Sequence, residues 1–472
     1  MADFPPRGSG HDGVVDTMPS ALWADPDDLS DAFPWKAGDL LLGKWQERPI
    51  GYRDDRHAVL IAGSRAGKTR SVLIPNLRTY PGSAIVIDPK GELARETAAY
   101  RARPKAEGGM GQAVYILDPF GVSGFKSSAH NPFDELIAGP AGDIAANAAQ
   151  LAEALIIAAE GAKDPHWTDS ARNLVRGLVL YLLSTPDETR SLRRLRELLH
   201  LAGDDRKAVF TAMAASDAFD GVLANIGAEY LFKCIVAEQH GGAELASIYS
   251  TAQTQTAPLD DVAAVTDHSA FDLGRFKDTP STLYVVLPAM RMGTHYRWLR
   301  LVVQLAMQAM ERTPFERGRL PVWFVLEEFP ILGHMRSIET AAGFMAGFGV
   351  KLVAVIQDLS QLQTHYPKSW ETFLGNAGVV VAFGNADMTT AEYLSKRLGQ
   401  ARISEWRAGE STSGGIQSGR AGKVERIDTA PLLAADEIMI AFSRLTGRLL
   451  ALMPGQRPIY MQRLRGPEDT PA

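Results

Sequence analysis

Cysteine is almost absent from the sequence, and long apolar runs are absent altogether. Cys234 is the only cysteine among 472 residues, which excludes a disulfide framework and a cysteine-rich zinc site. A membrane-spanning helix needs about 20 consecutive apolar residues, whereas apolar stretches such as Leu174–Leu183 and Gly378–Phe383 are shorter or carry a charge. The first residues also lack the basic and apolar regions of a secretory signal. We therefore expect a chain that faces the cytoplasm and has no transmembrane segment of its own.

Positive charge is not in excess either. The 49 lysines and arginines face 55 aspartates and glutamates, so the formal net charge at pH 7 is −6. This balance excludes a protein that coats nucleic acid through its overall charge, although a local basic channel remains compatible with it. With 46% apolar and 22% charged residues, the composition is that of an ordinary globular protein and not of a disordered or collagen-like chain.

The pattern of apolar runs predicts an α/β fold. Short, almost continuously apolar runs alternate with helical stretches, which is typical of a mostly parallel sheet covered by helices on both faces. The predicted strands are Ala58–Ala62, Ala84–Asp88, Ala113–Asp118, Thr282–Leu287, Val322–Leu326, Leu352–Ile356 and Val379–Phe383. Two further runs, Leu449–Met453 and Ile459–Leu464, flank a Pro-Gly pair and predict a terminal hairpin.

The same pattern divides the chain into domains. Residues 1–37 are rich in proline, glycine and aspartate, which predicts a flexible N-terminal arm. Residues 142–277 show helical periodicity and almost no strand pattern. We therefore predict an all-α domain at 142–277 that interrupts an α/β domain formed by residues 38–141 and 278–472. The Ser/Gly-rich stretch Gly409–Gly422 predicts a flexible loop.

The most informative local motif is a loop between a predicted strand and a predicted helix. Its small residues let backbone N–H groups point at phosphate oxygens, and the helix N-terminus adds the positive end of a dipole. Lys68 can reach the terminal phosphates of ATP, and the Thr69 hydroxyl can bind Mg²⁺. Because Ala62 stands where the P-loop pattern has its first glycine, an ordinary glycine-rich turn remains the alternative. The residues predicted to bind the nucleotide here are Ala62, Gly63, Ser64, Arg65, Ala66, Gly67, Lys68 and Thr69.

Carboxylates and an amide follow other predicted strands. Glu327 and Glu328 end one apolar run, which brings them to the carboxyl edge of the sheet, where open α/β sheets bind ligands. In P-loop enzymes the first acid orients the water shell of Mg²⁺, and the second activates water as a general base. Gln357 is predicted to sense the terminal phosphate or to hold the attacking water, and Asp88 to contact the nucleotide or to relay its state. The alternatives are two solvated acids, a loop amide and a helix cap, respectively.

The order of these motifs resembles that of a known family. Besides the loop and the acidic pair, the matching segments are Leu73–Leu77, Ser83–Glu92, Asp118–Phe120, Asn131–Asp134, His166–Arg172, Leu326–Gly333, Gln357–Leu362, Asp387–Gly399, Pro431–Leu433 and Pro454–Ile459. In this order and spacing, over about residues 38–465, the chain resembles the coupling proteins of conjugative type IV secretion, the TraG/TraD-like P-loop ATPases.

The resemblance implies a RecA-like P-loop nucleotide-binding domain that carries an all-α domain and hydrolyses ATP with Mg²⁺. It implies Glu328, Glu327 and Gln357 as catalytic residues, and Thr69 and Glu327 as residues that hold Mg²⁺. It also implies homo-hexameric rings, DNA binding with little sequence preference, and delivery of relaxase-bound single-stranded DNA or proteins to components of a type IV secretion channel. The expected location is the inner face of the bacterial cytoplasmic membrane, as a peripheral protein.

Three features depart from the family's pattern. Relatives usually carry transmembrane helices near the N-terminus, have Asp where this chain has Glu327, and often have Arg where this chain has Ala346. Arg397 or Arg402 from a neighbouring subunit is then the candidate for the arginine that acts in trans. The departures leave two alternatives: a soluble DNA translocase of the FtsK/HerA type, and a nucleotide-binding substrate adaptor with weak hydrolysis. Arg172 and Arg176 share a predicted helix face and are candidates for DNA contact, with a solvated face as the alternative.

Overall fold

The computed structural model describes residues 20–158, 166–341, 344–408 and 423–471, and it has an α/β fold. The strands are β1 (Leu40–Trp45), β2 (Arg48–Tyr52), β3 (Ala58–Ala62), β4 (Ala84–Asp88), β5 (Ala113–Leu117), β6 (Ser281–Val286), β7 (Val322–Leu326), β8 (Val350–Ile356), β9 (Val379–Phe383), β10 (Gln400–Ala408), β11 (Lys423–Pro431), β12 (Arg448–Leu452) and β13 (Ile459–Gln462). The α-helices are α1 (Leu29–Ala32), α2 (Ile74–Thr79), α3 (Glu92–Ala102), α4 (Pro132–Ile137), α5 (Ile144–Leu155), α6 (His166–Ser184), α7 (Leu192–Leu199), α8 (Gly203–Ala214), α9 (Val222–His240), α10 (Ala243–Thr256), α11 (Met292–Arg312), α12 (Arg336–Ala341), α13 (Leu359–His365), α14 (Trp370–Gly375), α15 (Met388–Leu398) and α16 (Ala435–Ala441). The predicted fold class is confirmed.

The chain forms two compact units. The first unit combines residues 1–80 with 353–472, and the second is the continuous stretch 81–352. In the first unit, β3 lies between β8 and β9 and runs parallel to both. Beyond β9 follow β12, β13, β1 and β2, each antiparallel to its neighbour. β3 and β9 are buried throughout, which explains why their sequences are continuously apolar.

In the second unit, β7, β4, β6 and β5 lie side by side and all run parallel. Helices α5 to α10 belong to the same unit, and the described residues between α5 and β6 contain no strand. On α6, Leu174, Leu178 and Leu182 are buried one turn apart, which is the packing stripe expected of an amphipathic helix. The predicted boundaries of an all-α domain at 142 and 277 stay a prediction, since the compact units divide the chain at other residues.

The strand predictions agree closely with the structure. β3, β4, β7 and β9 have the predicted bounds, and the remaining predicted strands differ at their ends by one or two residues. The predicted terminal hairpin is confirmed as the antiparallel pair β12–β13. The pattern missed β1 and β2, because their short apolar runs are interrupted by glycine, lysine and proline. It also missed the ribbon of β10 and β11, which flanks the predicted loop at 409–422; that loop lies outside the described residues.

Residues 20–37 of the predicted arm include segments that make defined contacts with the first unit. The Ala21 N–H donates to Gln400 O at 2.8 Å, and the Ala24 N–H donates to Pro458 O at 3.0 Å. Between them, the Trp23 ring packs edge-on against Tyr460, with 5.2 Å between the ring centroids. An aromatic side chain with such contacts offsets the entropy lost on ordering the segment. Residues 1–19 of the predicted arm lie outside the described residues.

Over the described ranges, none of the helices has the length and hydropathy that crossing a bilayer requires.

Candidate functional site

The predicted nucleotide-binding loop lies in the first unit, between β3 and a turn of π-helix. β3 ends at Ala62, and the π-helix Thr69–Leu73 continues directly into α2. Within the loop, the Ala66 N–H donates to Gly63 O at 3.2 Å. The strand, loop and helix thus follow each other in the arrangement that a phosphate-binding loop requires.

Two glycines allow the shape of this loop. A Cβ atom at Gly63 would lie only 2.0 Å from Gly384 O, so glycine is required for the loop to approach the residues after β9. Gly67 has a φ of +92°, a conformation that side chains with a Cβ atom rarely adopt. Arg65 has a φ of +56° although it carries a side chain. Such strain costs on the order of 1–3 kcal/mol and is common in ligand-binding loops.

Lys68 and Thr69 stand where the helical turn begins, and both are partly exposed. The backbone of Lys68 is already helical, with φ −50° and ψ −46°. The positive end of the helix dipole therefore faces the loop, as binding of phosphate requires. Ala62 is fully buried and lies opposite Phe383 in the register of β3 with β9, so the departure from the P-loop pattern falls inside the strand.

Gln357 lies at the same sheet edge as the loop. The register pairs Ile61 of β3 with Ile356 of β8, so the residues that follow these two strands are neighbours. The Gln357 N–H donates to Gln361 Oε1 at 3.1 Å, and Asn385 Nδ2 donates to Gln357 O at 3.1 Å. Both hydrogen bonds fix the backbone at Gln357.

The acidic pair lies in the second unit, at the carboxyl end of β7. Glu327 is buried, at 4% exposure, and its N–H donates to Ile87 O at 3.4 Å. Glu328 is partly exposed and precedes the 3₁₀ turn Phe329–Leu332. Burial therefore distinguishes the two carboxylates: the first is held within the sheet edge, whereas the second can reach solvent.

Asp88 lies at the level of Glu327, because the register pairs Ile87 with Leu326. Asp88 is fully buried, and its Oδ2 accepts a hydrogen bond from the Ala94 N–H at 2.8 Å. Burial raises the pKa of Asp88, and the backbone N–H groups at the start of α3 oppose that rise. This geometry is that of a carboxylate capping a helix, the alternative that the sequence left open.

Three further side chains hold these segments, and the sequence did not point to them. Asn385 ties β9 to β8 as described above. Buried Arg300 of α11 donates through Nη1 to Leu332 O and, at 2.8 Å, to His334 O, so it fixes the segment after the acidic pair. Arg463, after β13, donates through Nη1 to Ala66 O in the nucleotide-binding loop. Each contact joins residues that are distant in the sequence, so no local pattern signals it.

The arginines singled out in the sequence make local contacts. Arg172 Nε donates to Ile156 O at 2.8 Å, and Arg176 Nε donates to Ala145 O at 3.2 Å, so both join α6 to the end or start of α5. Arg397 donates through Nη1 to Tyr393 Oη at 2.9 Å on the same face of α15. Arg402 lies on β10, and Ala346 lies in a 3₁₀ turn that ends one residue before Gly349.

Within the described residues, no three or more histidine, cysteine, aspartate or glutamate side chains group into a metal site. The residues of the loop nevertheless fit a phosphate group with Mg²⁺. Glycine at 63 and 67 opens the backbone, and a lysine and a hydroxyl stand at the helix start. A Mg²⁺ ion in such a setting takes most of its oxygen ligands from phosphates and water.

The family comparison covers most of the chain. Residues 17–465 match the family model described as Type IV secretory system Conjugative DNA transfer. The protein VirD4 of Rhizobium rhizogenes is 29% identical over 448 residues, covering 87% of this chain and 58% of VirD4. The conjugal transfer protein TraG of Escherichia coli is 27% identical over 433 residues, covering 85% of this chain and 65% of TraG. The chain therefore spans about three fifths of the length of these relatives.

The fold also has a solved counterpart. The plasmid coupling protein TrwB in complex with ADP and Mg²⁺ superposes with a TM-score of 0.66. The match covers 99% of this chain and 98% of that one, at 15% sequence identity. At that identity the likeness shows a shared fold.

Proposed function

Because the chain belongs to the type IV secretory system conjugative DNA transfer family, we propose that it is an ATP-driven coupling protein that brings DNA or protein substrates to a type IV secretion channel. The observation that carries the proposal is the family match over residues 17–465, and the strand, loop and helical turn around residues 58–73 support it. The relatives that share the match are named VirD4 and TraG, and TrwB, which shares the fold, binds ADP and Mg²⁺.

The loop of the first unit would bind the phosphates of ATP. The N–H groups between Gly63 and Lys68, other than that of Ala66, would donate to phosphate oxygens, and the Lys68 ammonium would neutralise the terminal phosphates. The Thr69 hydroxyl would be a ligand of Mg²⁺, which neutralises charge that develops on the phosphates. Gln357, fixed by the two backbone hydrogen bonds described above, would report the presence of the γ-phosphate through its amide.

The carboxylates of the second unit would supply the hydrolytic chemistry. Glu327, held by its burial, would orient water molecules bound to Mg²⁺. Glu328, which can reach solvent, would accept the proton of the attacking water as a general base. Since Asp88 already accepts the Ala94 N–H, we propose that it shapes the turn before α3 and acts on the nucleotide only through that turn.

The wider role rests on the family. We propose that the chain binds DNA without sequence preference, assembles as a homo-hexamer, and works beside the components of a secretion channel at the inner face of the bacterial cytoplasmic membrane. Arg172 and Arg176 each donate a hydrogen bond to a backbone carbonyl oxygen. The proposed DNA binding therefore rests on the family and not on these two arginines.

Nucleotide titration and phosphate release test the enzymatic part of the proposal. We expect the wild-type chain to bind ATP with Mg²⁺ and to release phosphate faster when single-stranded DNA is present. Lys68→Ala should lose measurable ATP binding and keep its thermal stability, because this side chain is partly exposed at the sheet edge.

The matched control is Lys36→Ala, which removes an exposed lysine from the same unit and should bind ATP as the wild type does. Equal ATP affinity of Lys68→Ala and wild type would contradict the loop assignment. Tight binding without turnover, with or without DNA, would instead identify the chain as a nucleotide-binding adaptor.

A further inference from the structure

Arg463 lies against the nucleotide-binding loop and touches three separate segments of the first unit. Its Nη1 donates to Ala66 O in the loop, and its Nη2 donates to Arg444 O at 2.7 Å. The guanidinium carbon lies 4.8 Å from the centroid of the Phe383 ring, at the end of β9. The ideal Cβ position of Gly67 is 3.9 Å from Arg463 Nη1, so the guanidinium lies close to the peptide bond between residues 66 and 67.

This placement is costly for a cation. Arg463 is only partly exposed, and its Nε is buried with no hydrogen-bond partner among the described residues. Burial lowers the pKa of the Arg463 guanidinium. Arginine side chains nevertheless keep their proton in proteins, so Arg463 carries a positive charge. A buried donor without a partner costs on the order of 1–3 kcal/mol. A packing role alone would be met as well by an uncharged side chain of similar length, so the charge itself needs an explanation.

The acceptor of Nη1 suggests what the charge does. The Ala66 carbonyl and the Gly67 N–H belong to the same peptide group. A cation that binds the carbonyl oxygen draws electrons from the amide nitrogen, so the N–H becomes a stronger donor. In such loops, the backbone N–H groups donate hydrogen bonds to phosphate oxygens. A positive charge near the loop also adds to the attraction that the helix dipole and Lys68 exert on phosphate.

We propose that Arg463 is a positioning residue of the nucleotide-binding loop, which strengthens phosphate binding by polarising and holding the Ala66–Gly67 peptide group from the side opposite the ligand. The inference rests on the proposed function, because it concerns the affinity of the loop for phosphate. It adds a residue that none of the sequence motifs contains. It also explains why a half-buried arginine follows the last strand at a place where the chain meets the loop.

Two variants separate the charge from the packing. Arg463→Lys keeps the positive charge, whereas Arg463→Met keeps an unbranched side chain without charge. The probes are Mg²⁺·ADP and inorganic tripolyphosphate, titrated by calorimetry on the full chain. We expect Arg463→Met to weaken the binding of both probes by about tenfold, the loss typical of one charge-assisted hydrogen bond, and Arg463→Lys to recover most of that loss. The matched control is Arg48→Met, which removes an exposed arginine with a long ion pair to Asp31 from the same unit and should bind both probes as the wild type does.

The outcomes are distinguishable. If the wild type binds neither probe, the proposed function and this inference both fail. If the wild type binds both probes and Arg463→Met binds them equally well, the inference alone is wrong. Equal losses in Arg463→Met and Arg463→Lys would also overturn it, because they would show that shape and not charge matters at this position. Melting temperatures are also measured without ligand. If the melting temperatures of Arg463→Met and Arg463→Lys fall equally, Arg463 serves packing and the inference is wrong.

Discussion

Among single residues, Glu328 is the side chain on which the proposed hydrolysis depends most directly. It is partly exposed at the end of β7, whereas its neighbour Glu327 is buried. Replacing Glu328 by Gln removes the proton acceptor and keeps the size of the side chain. We expect phosphate release to fall by about 10²–10⁴-fold, the range that general-base catalysis supplies, while ATP still binds.

Phosphate release and ATP titration on the same preparation check this prediction. Glu316→Gln is the matched control, since Glu316 is an exposed residue of the same unit that forms a surface pair with Arg319. The control should keep the wild-type rate. If Glu328→Gln also keeps that rate above background, another group accepts the proton of the attacking water.

His130 makes the stability of the second unit depend on pH. Its ring is 3% exposed and stacks on Phe271, with 4.7 Å between the ring centroids. Burial lowers the pKa of His130 to about 4, below the value of about 6.5 in an unfolded chain. Between these values the unfolded chain binds a proton that the folded chain does not. Stability should therefore decrease as the pH falls from 6.5 toward 4.

Urea unfolding of wild type and His130→Gln at pH 7.5 and pH 5 isolates this contribution. We expect the wild type to lose about 2 kcal/mol more than the variant between the two pH values, because 1.5 pH units below 6.5 correspond to that free energy. His268→Gln changes an exposed histidine of the same unit and should keep the wild-type dependence. An equal loss in wild type and His130→Gln would show that His130 protonates in the folded state.

At the scale of elements, the nucleotide-binding loop packs closely against the residues that follow β9. A methyl group at residue 63 would lie 2.0 Å from Gly384 O, so Gly63→Ala must push the loop away from β9. We expect ATP affinity to fall by at least about tenfold and the free energy of unfolding to fall by about 1–3 kcal/mol, as overpacking does elsewhere. Nucleotide titration and urea unfolding measure the two effects.

Gly375→Ala serves as the control for this prediction. A Cβ atom at Gly375 meets nothing within 4 Å, and Gly375 lies at the end of a helix in the same unit. The control should keep both ATP affinity and stability. Unchanged ATP affinity in Gly63→Ala would mean that the loop binds nucleotide in another conformation.

The central strands could be predicted from the sequence because burial on both faces leaves a continuous apolar run, as in β3 and β9. The helix start at Lys68 could also be predicted, because its signal is local: small residues precede a lysine and a hydroxyl side chain. The edge strands could not be predicted, because β1 and β2 mix polar residues and glycine with apolar ones. Arg463 could not be predicted either: its partner Ala66 is 397 residues away, and only the register of β13 brings the two together.

For the molecule as a whole, DNA binding is a demanding prediction, because the chain has more acidic than basic residues. With a net charge of −6, DNA must be attracted by a local concentration of basic side chains. Binding through phosphates releases counterions, so the logarithm of the affinity should fall linearly with the logarithm of the salt concentration, with a slope of about −0.7 for each phosphate contacted on a single strand. We expect the same slope for single-stranded oligonucleotides of unrelated sequence.

Fluorescence anisotropy over a salt series checks this expectation, with cross-linking in the presence of ATP and DNA as a parallel measure of assembly. A strong preference for one sequence, or an affinity that does not change with salt, would contradict binding to the phosphate backbone. Cross-linking that yields only monomers would argue against a ring.

The way the two compact units share the chain has a consequence for its synthesis. The second unit, residues 81–352, leaves the ribosome as one uninterrupted run, and its parallel strands can pair as soon as β7 has emerged. The first unit has no such opportunity. β3 must wait for β9 and for residues 353–356 of β8, which are translated after the whole of the second unit. The nascent chain should therefore carry an unpaired, fully apolar β3 while residues 63–352 are translated, a period in which chaperones that hold extended apolar segments have their greatest effect on yield.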